Sequence, residues 1–463
     1  MGFASILRVL GVALGYLALG MLVPVGFGLI NGLAGIGSFL FAFVVSLIGA
    51  GGLIIATGNQ RPTTDFRGGI MIVFLWWVIA PFFGMLPFIL DGYGPLEGLF
   101  LAVSALTTTG ALLSRDALVA APLHHLWFAL MQWLGGIVSI AIAASITVRP
   151  VFFGVETVQL PFSRGERDSY LRSLRLAFYA FIGTYAILTF LCFFILKANG
   201  LDDFDAGILA LSTLSSGGLS GTRESLADYP LWTSELLFPF VLLSGTNFLL
   251  IAFAVRGQWK KVSDVETETL LAMIAGVGML LWVLTGAGDV DRLLSQFFNA
   301  ASLLTTNGIF LGETPPLAVA AVAALIGGAA VSTAGGLKVL RWLVIIRRGR
   351  EEVRRLISPN IVQGNIPIAE EFGVWMHFLV FTLVLGVMML ILTVGGARFD
   401  LAAAAAAGAL SNTGPLLGLA QGATGNYGGF GPAAQLSLMV VMILGRIEAV
   451  AALVLLNRAF WRS

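Results

Sequence analysis

Hydrophobic and polar positions divide the chain into long apolar runs separated by short segments that end on small polar residues. A hydrocarbon layer of ~30 Å needs ~20 apolar residues in helix. Runs of that kind fall at 5–30, 35–57, 68–90, 123–148, 172–197, 233–255, 269–287, 317–346, 372–395 and 434–457, which predicts ten transmembrane helices. The first run lacks a small-x-small cleavage site and leads at once into the second, so it reads as a membrane helix and not as a removed leader. From residue 68 the order becomes span, short amphipathic segment, polar phrase, span. The short segments, near 95–105, 203–213, 291–303 and 399–409, are too short to cross and predict four re-entrant half-helices.

Each half-helix ends on a version of one seven-residue phrase: Ser104-Ala-Leu-Thr-Thr-Thr-Gly110, Ser212-Thr-Leu-Ser-Ser-Gly-Gly218, Ser302-Leu-Leu-Thr-Thr-Asn-Gly308 and Gly408-Ala-Leu-Ser-Asn-Thr-Gly414. The closing glycines are 108, 90 and 106 residues apart, a period that fits multi-helix modules and not a solenoid repeat. Four modules imply a four-part ring. Small polar residues let backbone carbonyls face a lumen, and glycine reaches backbone angles closed to other residues. Four such loops around an axis would replace the water shell of a dehydrated monovalent cation. The expected ion selectivity filter is Thr107, Thr108, Thr109 and Gly110; Ser215, Ser216, Gly217 and Gly218; Thr305, Thr306, Asn307 and Gly308; and Ser411, Asn412, Thr413 and Gly414, with the ion at the four glycines. Each half-helix would aim its negative dipole end at that ion. The competing explanation is close packing of small residues between helices, which four copies with fixed Leu and Gly positions disfavour.

Composition agrees with a membrane protein: 58% of residues are hydrophobic, 11% are charged and mean hydropathy is +0.93. The single Cys192 excludes an intrachain disulfide. With the N-terminus inside, 19 Lys or Arg fall on inner segments and five on outer ones, which orients the phrases outward and puts both termini in the cytoplasm of a cytoplasmic (inner) membrane protein. Thirteen acidic residues lie outside, a bias that gathers cations at the outer face. His124, His125 and His377 are not spaced as a metal site, and no catalytic constellation, covalent cofactor or nucleic-acid signature is present in the sequence. The chain therefore reads as no enzyme.

Two features fall within the apolar runs. Gly327, Gly328, Ser332, Thr333, Gly335 and Gly336 interrupt the run 317–346, since each Gly weakens a helix by ~1 kcal/mol relative to Ala. A broken helix under the phrases is expected there, marking an ion path. Lys338, Arg446 and Glu448 are the charges left at membrane depth, where charge is costly and usually functional.

Gln132-Trp-Leu-Gly-Gly136, Gly327 to Lys338, Ser358-Pro-Asn360, Asn412-Thr-Gly-Pro-Leu-Leu-Gly418, Gly445-Arg-Ile-Glu448 and Phe460-Trp-Arg462 are similar to stretches of the Trk/Ktr-type potassium transporters, closest to the Trk potassium uptake membrane subunit. The resemblance implies an all-α polytopic protein with four span–half-helix–span units around a central pore, a homodimer in membrane lipid, and a cytosolic nucleotide-binding regulatory subunit. It assigns a peripheral hairpin to 1–60 and pore repeats to 61–165, 166–262, 263–360 and 361–463, the third with a broken second helix. It implies potassium uptake, and it places Arg446 beside the broken helix, where the six residues named there, Lys338 and Arg446 form a gate. Segment 156–175 departs from the family's basic stretch, which bears on contacts with the regulatory partner; Asn307 and Thr413 depart in the phrases, which implies looser selectivity and, as the alternative, a sodium/potassium pathway.

Overall fold

The computed structural model describes residues 3–58, 66–147, 170–223, 225–255, 257–258, 264–357, 368–421 and 426–447. They form twenty α-helices. The first five are α1 (Phe3–Gly20), α2 (Leu22–Asn31), α3 (Ile36–Ala56), α4 (Phe66–Gly84) and α5 (Leu86–Leu90). Next come α6 (Pro95–Leu106), α7 (Arg115–Val119), α8 (Pro122–Thr147), α9 (Tyr170–Ala198) and α10 (Asp203–Leu214). The third group is α11 (Thr233–Gly245), α12 (Phe248–Val255), α13 (Val265–Leu284), α14 (Val290–Leu304) and α15 (Leu317–Ile326). The last is α16 (Val339–Ile357), α17 (Ile368–Val394), α18 (Phe399–Ser411), α19 (Leu416–Gln421) and α20 (Pro432–Ile447).

Among the described residues, seven stretches are long and apolar enough to cross a membrane, and the α11–α12 pair makes an eighth if taken as one span. That pair corresponds to the single run expected at 233–255, but it bends by 111°. The cause is local: Thr246 is extended, and Asn247 Oδ1 accepts the Leu249 amide at 3.0 Å, so a new helix starts where the old one stops. The run expected at 317–346 is likewise split, with 327–338 outside any helix. The run at 434–457 passes beyond the described residues after 447.

Three of the four short helices begin on local signals. Asp202 Oδ2 caps α10 through the Asp205 amide at 3.1 Å, and Asp289 Oδ1 caps α14 through Arg292 at 3.1 Å. At α6, Pro95 opens the helix and Glu97 reaches back to the Gly94 amide at 3.0 Å. Two neighbouring helices flank each short one: α4 and α8 flank α6, α9 and α11 flank α10, α13 and α15 flank α14, and α17 and α20 flank α18. Contacts also run between neighbouring groups in cyclic order, α8 to α10, α11 to α14, α15 to α18 and α20 back to α6. The helices α1 to α3 pack outside this circle, mainly on one another, α4 and α8. Ile30, Ile48, Phe190, Phe194, Leu383 and Val394 leave broad outer apolar faces, as lipid contact requires.

Candidate functional site

The phrases sit at the C-terminal ends of α6, α10, α14 and α18 and turn the chain in one way. At the fifth position the backbone is left-handed, with φ of 55° at Thr108, 55° at Ser216, 56° at Thr306 and 56° at Asn412. None of these is glycine, and the strain is held by a repeated pair of hydrogen bonds. The sixth amide donates to the first carbonyl: Thr109 to Ser104 at 2.8 Å, Gly217 to Ser212 at 2.8 Å, Asn307 to Ser302 at 2.8 Å and Thr413 to Gly408 at 2.7 Å. The fifth amide donates to the second carbonyl in all four. This is a Schellman closure. It spends the fifth and sixth amides of each phrase on their own helix end. All sixteen residues from the fourth to the seventh positions are buried except Gly218, which is half-buried.

The closing glycines bring the phrases together in sequence order and back to the start. A Cβ placed on Gly110 would lie 2.0 Å from the Gly217 carbonyl oxygen, and one on Gly218 would lie 2.3 Å from that of Asn307. From Gly308 the nearest atom is Thr413 Cγ2 at 3.1 Å, and Gly414 closes the circle, its amide donating to the Thr109 carbonyl at 2.6 Å. Each glycine thus abuts the sixth residue of the next phrase. Three of them are left-handed, with φ of 71°, 68° and 69°, whereas Gly414 does not share the positive φ. Tyr427 explains part of that difference, because its hydroxyl donates to the Gly414 carbonyl at 3.0 Å. Burial pushes the Tyr427 phenol well up, so it stays a proton donor.

A second tier of contacts meets the fourth position of each phrase. A Cβ on Gly136 would fall 3.1 Å from Ser215 Cβ, one on Gly245 2.3 Å from Thr305 Cγ2, and one on Gly335 1.9 Å from the Ser411 carbonyl oxygen. The equivalent contact to Thr107 comes from Arg446, whose Nε donates to the Thr107 carbonyl at 2.7 Å. Three glycines and one arginine therefore occupy matching places. Arg446 Nη1 also donates to the Thr333 carbonyl at 2.8 Å, while Nη2 is buried without a partner among the described residues. Thr333 Oγ1 bonds Ser216 Oγ at 2.8 Å and donates to the carbonyls of Leu214 at 3.0 Å and Ser244 at 2.9 Å. The Gly335 amide donates to Thr306 Oγ1 at 2.7 Å. Segment 327–338 and Arg446 together touch all four phrases.

The remaining expected gate residues line the same break. Gly327 and Gly336 are left-handed, with φ of 78° and 73°, and stand face to face, so that a Cβ on Gly327 would lie 2.9 Å from the Gly336 Cα. Gly328 backs onto Gly245, Ser332 Oγ donates to the Ala329 carbonyl at 2.6 Å, and Lys338 Nζ donates to the Ala334 carbonyl. His124 pairs with Asp91 at 3.0 Å among Phe39, Phe88 and Tyr93, and His125 meets the Ser220 carbonyl at 3.1 Å. Neither belongs to a metal cluster among the described residues. Glu448, Ser358 to Asn360, Phe460 to Arg462 and 156–169 lie outside the described residues.

Sequence reasoning passed over two side chains that act on this site. Gln132 Nε2 donates to the Gly217 carbonyl at 2.6 Å, and Glu266 accepts one amide from the broken stretch, that of Ala330, and one from the start of α16, that of Leu340. The side chain of the expected filter residue Asn307 turns outward, its Nδ2 donating to Ser244 Oγ at 2.9 Å. Gln132 lies inside the quoted Gln-Trp-Leu-Gly-Gly motif, the one local signal that could have marked it.

An all-helical, multi-pass bundle whose buried centre is a circle of four polar loops has the architecture of a membrane transport protein. The profile of the TrkH family, described as cation transport protein, matches residues 37–285 and 267–461, and the chain belongs to that family of transporters, which is not a family of enzymes. It is 31% identical to the Trk system potassium uptake protein TrkH of Halomonas elongata and 30% identical to that of Escherichia coli, in both cases across 100% of each chain. The crystal structure of the potassium transporter TrkH from Vibrio parahaemolyticus matches with a TM-score of 0.87 and 27% identity, again over 100% of both chains.

Proposed function

We propose that this protein takes up potassium across the cytoplasmic membrane through a gated, channel-like pore whose selectivity filter is the circle of four phrases. The observation that carries the reading is the cyclic contact of each closing glycine with the next phrase, which gathers four loops whose fifth and sixth amides are already engaged. Carbonyl oxygens then replace an ion's water, and four helix C-terminal ends favour a cation there. The pathway uses ten spans, with 317–346 and 434–457 completing the set and α6, α10, α14 and α18 as re-entrant half-helices. Residues 1–60 form the peripheral hairpin, and 61–165, 166–262, 263–360 and 361–463 form the four pore repeats. Both termini are cytoplasmic, in line with the excess of basic residues on inner segments.

Segment 327–338 and Arg446 form the gate. The segment bears on three phrases, Arg446 bears on the fourth and on the segment, and a fixed positive charge beside the filter repels a departing cation. The protein works as a homodimer with a cytosolic nucleotide-binding subunit docking at α16. Arg347 and Arg348 are already paired with Glu351, each at 3.3 Å, Arg348 also with Glu352 at 2.9 Å, and Arg341 is buried against the Leu337 carbonyl, so docking falls chiefly to Arg350 and Arg354.

A less selective sodium/potassium pathway is the second reading, favoured by the fourth phrase, where Gly414 departs from the shared backbone and binds the Thr109 carbonyl. Flux of rubidium, potassium and sodium into liposomes bearing the purified chain separates the two. Rubidium flux far above sodium flux supports the first; near-equal fluxes support the second, and absence of any cation flux overturns both.

A further inference from the structure

Glu266 stands in the first turn of α13 and is only 5% exposed. A carboxylate so placed is costly unless donors surround it. Its Oε1 accepts the Ala330 amide at 2.7 Å and the Leu340 amide at 3.2 Å. Leu340 is in the first turn of α16, whereas Ala330 lies ten residues earlier, inside the interrupted segment. An ordinary helix cap would need the Leu340 amide alone. One oxygen therefore joins three parts: the start of α13, the middle of the break and the start of the Arg-rich helix α16. Other fastenings of the segment lead to the α11–α12 joint, through Ala329 to the Gly245 carbonyl at 2.8 Å and Phe248 to the Val331 carbonyl at 2.8 Å, to the end of α15 through Leu337 and Lys338, to Arg446 and to the phrases, and the Val339 amide at the start of α16 donates to the Gly328 carbonyl at 2.9 Å.

We propose that Glu266 is a positioning residue for cation flux, a clasp that holds segment 327–338 in its resting place and ties that place to α16. The inference rests on the gate reading given above. A displacement of α16 pulls on the oxygen that also holds Ala330, so movement at the Arg-rich helix reaches the segment without passing through the phrases. Both bonds fall on one oxygen, so Glu266→Gln, which keeps an acceptor there, preserves the clasp, and Glu266→Ala removes it.

The test uses the full-length chain in proteoliposomes, with rubidium and sodium flux and amide hydrogen exchange as readouts, and a deletion within 330–334 as reference. Glu266→Ala is expected to raise basal rubidium flux roughly tenfold, to speed exchange at Ala330 and Leu340, and to leave the rubidium-to-sodium ratio unchanged. Glu266→Gln should stay within about twofold of the parent, because a neutral acceptor weakens the bonds without abolishing them. Glu266→Asp draws the oxygen back by one methylene and should fall between the two; it keeps the question open to measurement if the alanine variant does not assemble. If the deletion raises flux while assembled Glu266→Ala or Glu266→Asp matches the parent in flux and exchange, the clasp is overturned and the gate stands. If the deletion itself conducts like the parent, the gate reading falls and the clasp falls with it.

Discussion

The circle of closing glycines and the tier of contacts behind it differ in how closely they keep fourfold order. In the circle, four phrases of different sequence share the same helix closure and the same left-handed fifth residue. In the second tier, the matching places hold Gly136, Gly245, Gly335 and then Arg446, and two of the four neighbouring elements are interrupted, one by the bend at 246–247 and one over the longer segment 327–338. On the proposed reading, ion coordination by backbone asks for similar contributions from all sides, which matches the uniform first tier, and control asks for one side to differ from the others, which matches the second.

The largest effect is expected from breaking the uniform tier. Gly110→Ala and Gly218→Ala drive a Cβ to 2.0 Å and 2.3 Å of a neighbouring carbonyl oxygen, at backbone angles that already disfavour a side chain. Rubidium uptake should be abolished in both. Gly308→Ala meets nothing nearer than 3.1 Å, so it carries mainly the left-handed backbone cost of about 1 kcal/mol, and part of the uptake should survive. Equal loss in all three would mean that close approach between phrases is not what the glycines serve.

Making the second tier uniform is the next test. Arg446→Gly gives the fourth place the residue found at the other three and removes hydrogen bonds to Thr107 and Thr333. At about 1.5–3 kcal/mol for each charged hydrogen bond, basal flux should rise more than tenfold if those bonds hold the closed state. Selectivity should stay as it was. A variant that reaches the membrane in normal amount and conducts no faster would remove Arg446 from the gate. Deleting part of 330–334 should act in the same direction with a smaller rise, because Arg446 remains to repel the ion, and flux in these two variants should be measured side by side.

Much of the first tier was legible in the sequence, since the phrases repeat in order and each short helix ends on its phrase. The break at 327–338 was legible for a similar reason: four glycines with Ser and Thr stand out in an apolar run. The bend at 246–247 was not, because Ser244 to Asn247 sit between strongly apolar stretches and the average over the run stays high. Glu266 was hidden differently. Acidic residues in the first turn of a helix are ordinary, as with Glu268 beside it, and its partners lie 64 and 74 residues away. That Arg446 stands where three glycines stand becomes visible only when the modules are compared in space.

The smallest expected change concerns the one irregularity inside the uniform tier. Tyr427 donates to the Gly414 carbonyl, so this oxygen is shared between a hydroxyl and any ion at the fourth phrase. Tyr427→Phe keeps the buried ring, which packs on Phe100 and Phe430, and removes only the donor. A neutral hydrogen bond contributes about 1 kcal/mol, which corresponds to roughly a fivefold change in an equilibrium. The freed carbonyl gives the fourth phrase a stronger hold on a dehydrated ion, and the rubidium-to-sodium flux ratio should rise by a few-fold at most, with total rubidium flux little altered. The ring phenol stays protonated because burial raises it, so the parent's ratio should be flat between pH 6 and pH 8, about the range in which only histidines ordinarily titrate. An unchanged ratio in Tyr427→Phe would show that the Gly414 carbonyl takes no part in choosing the ion, and that the fourth phrase differs from the others for packing alone.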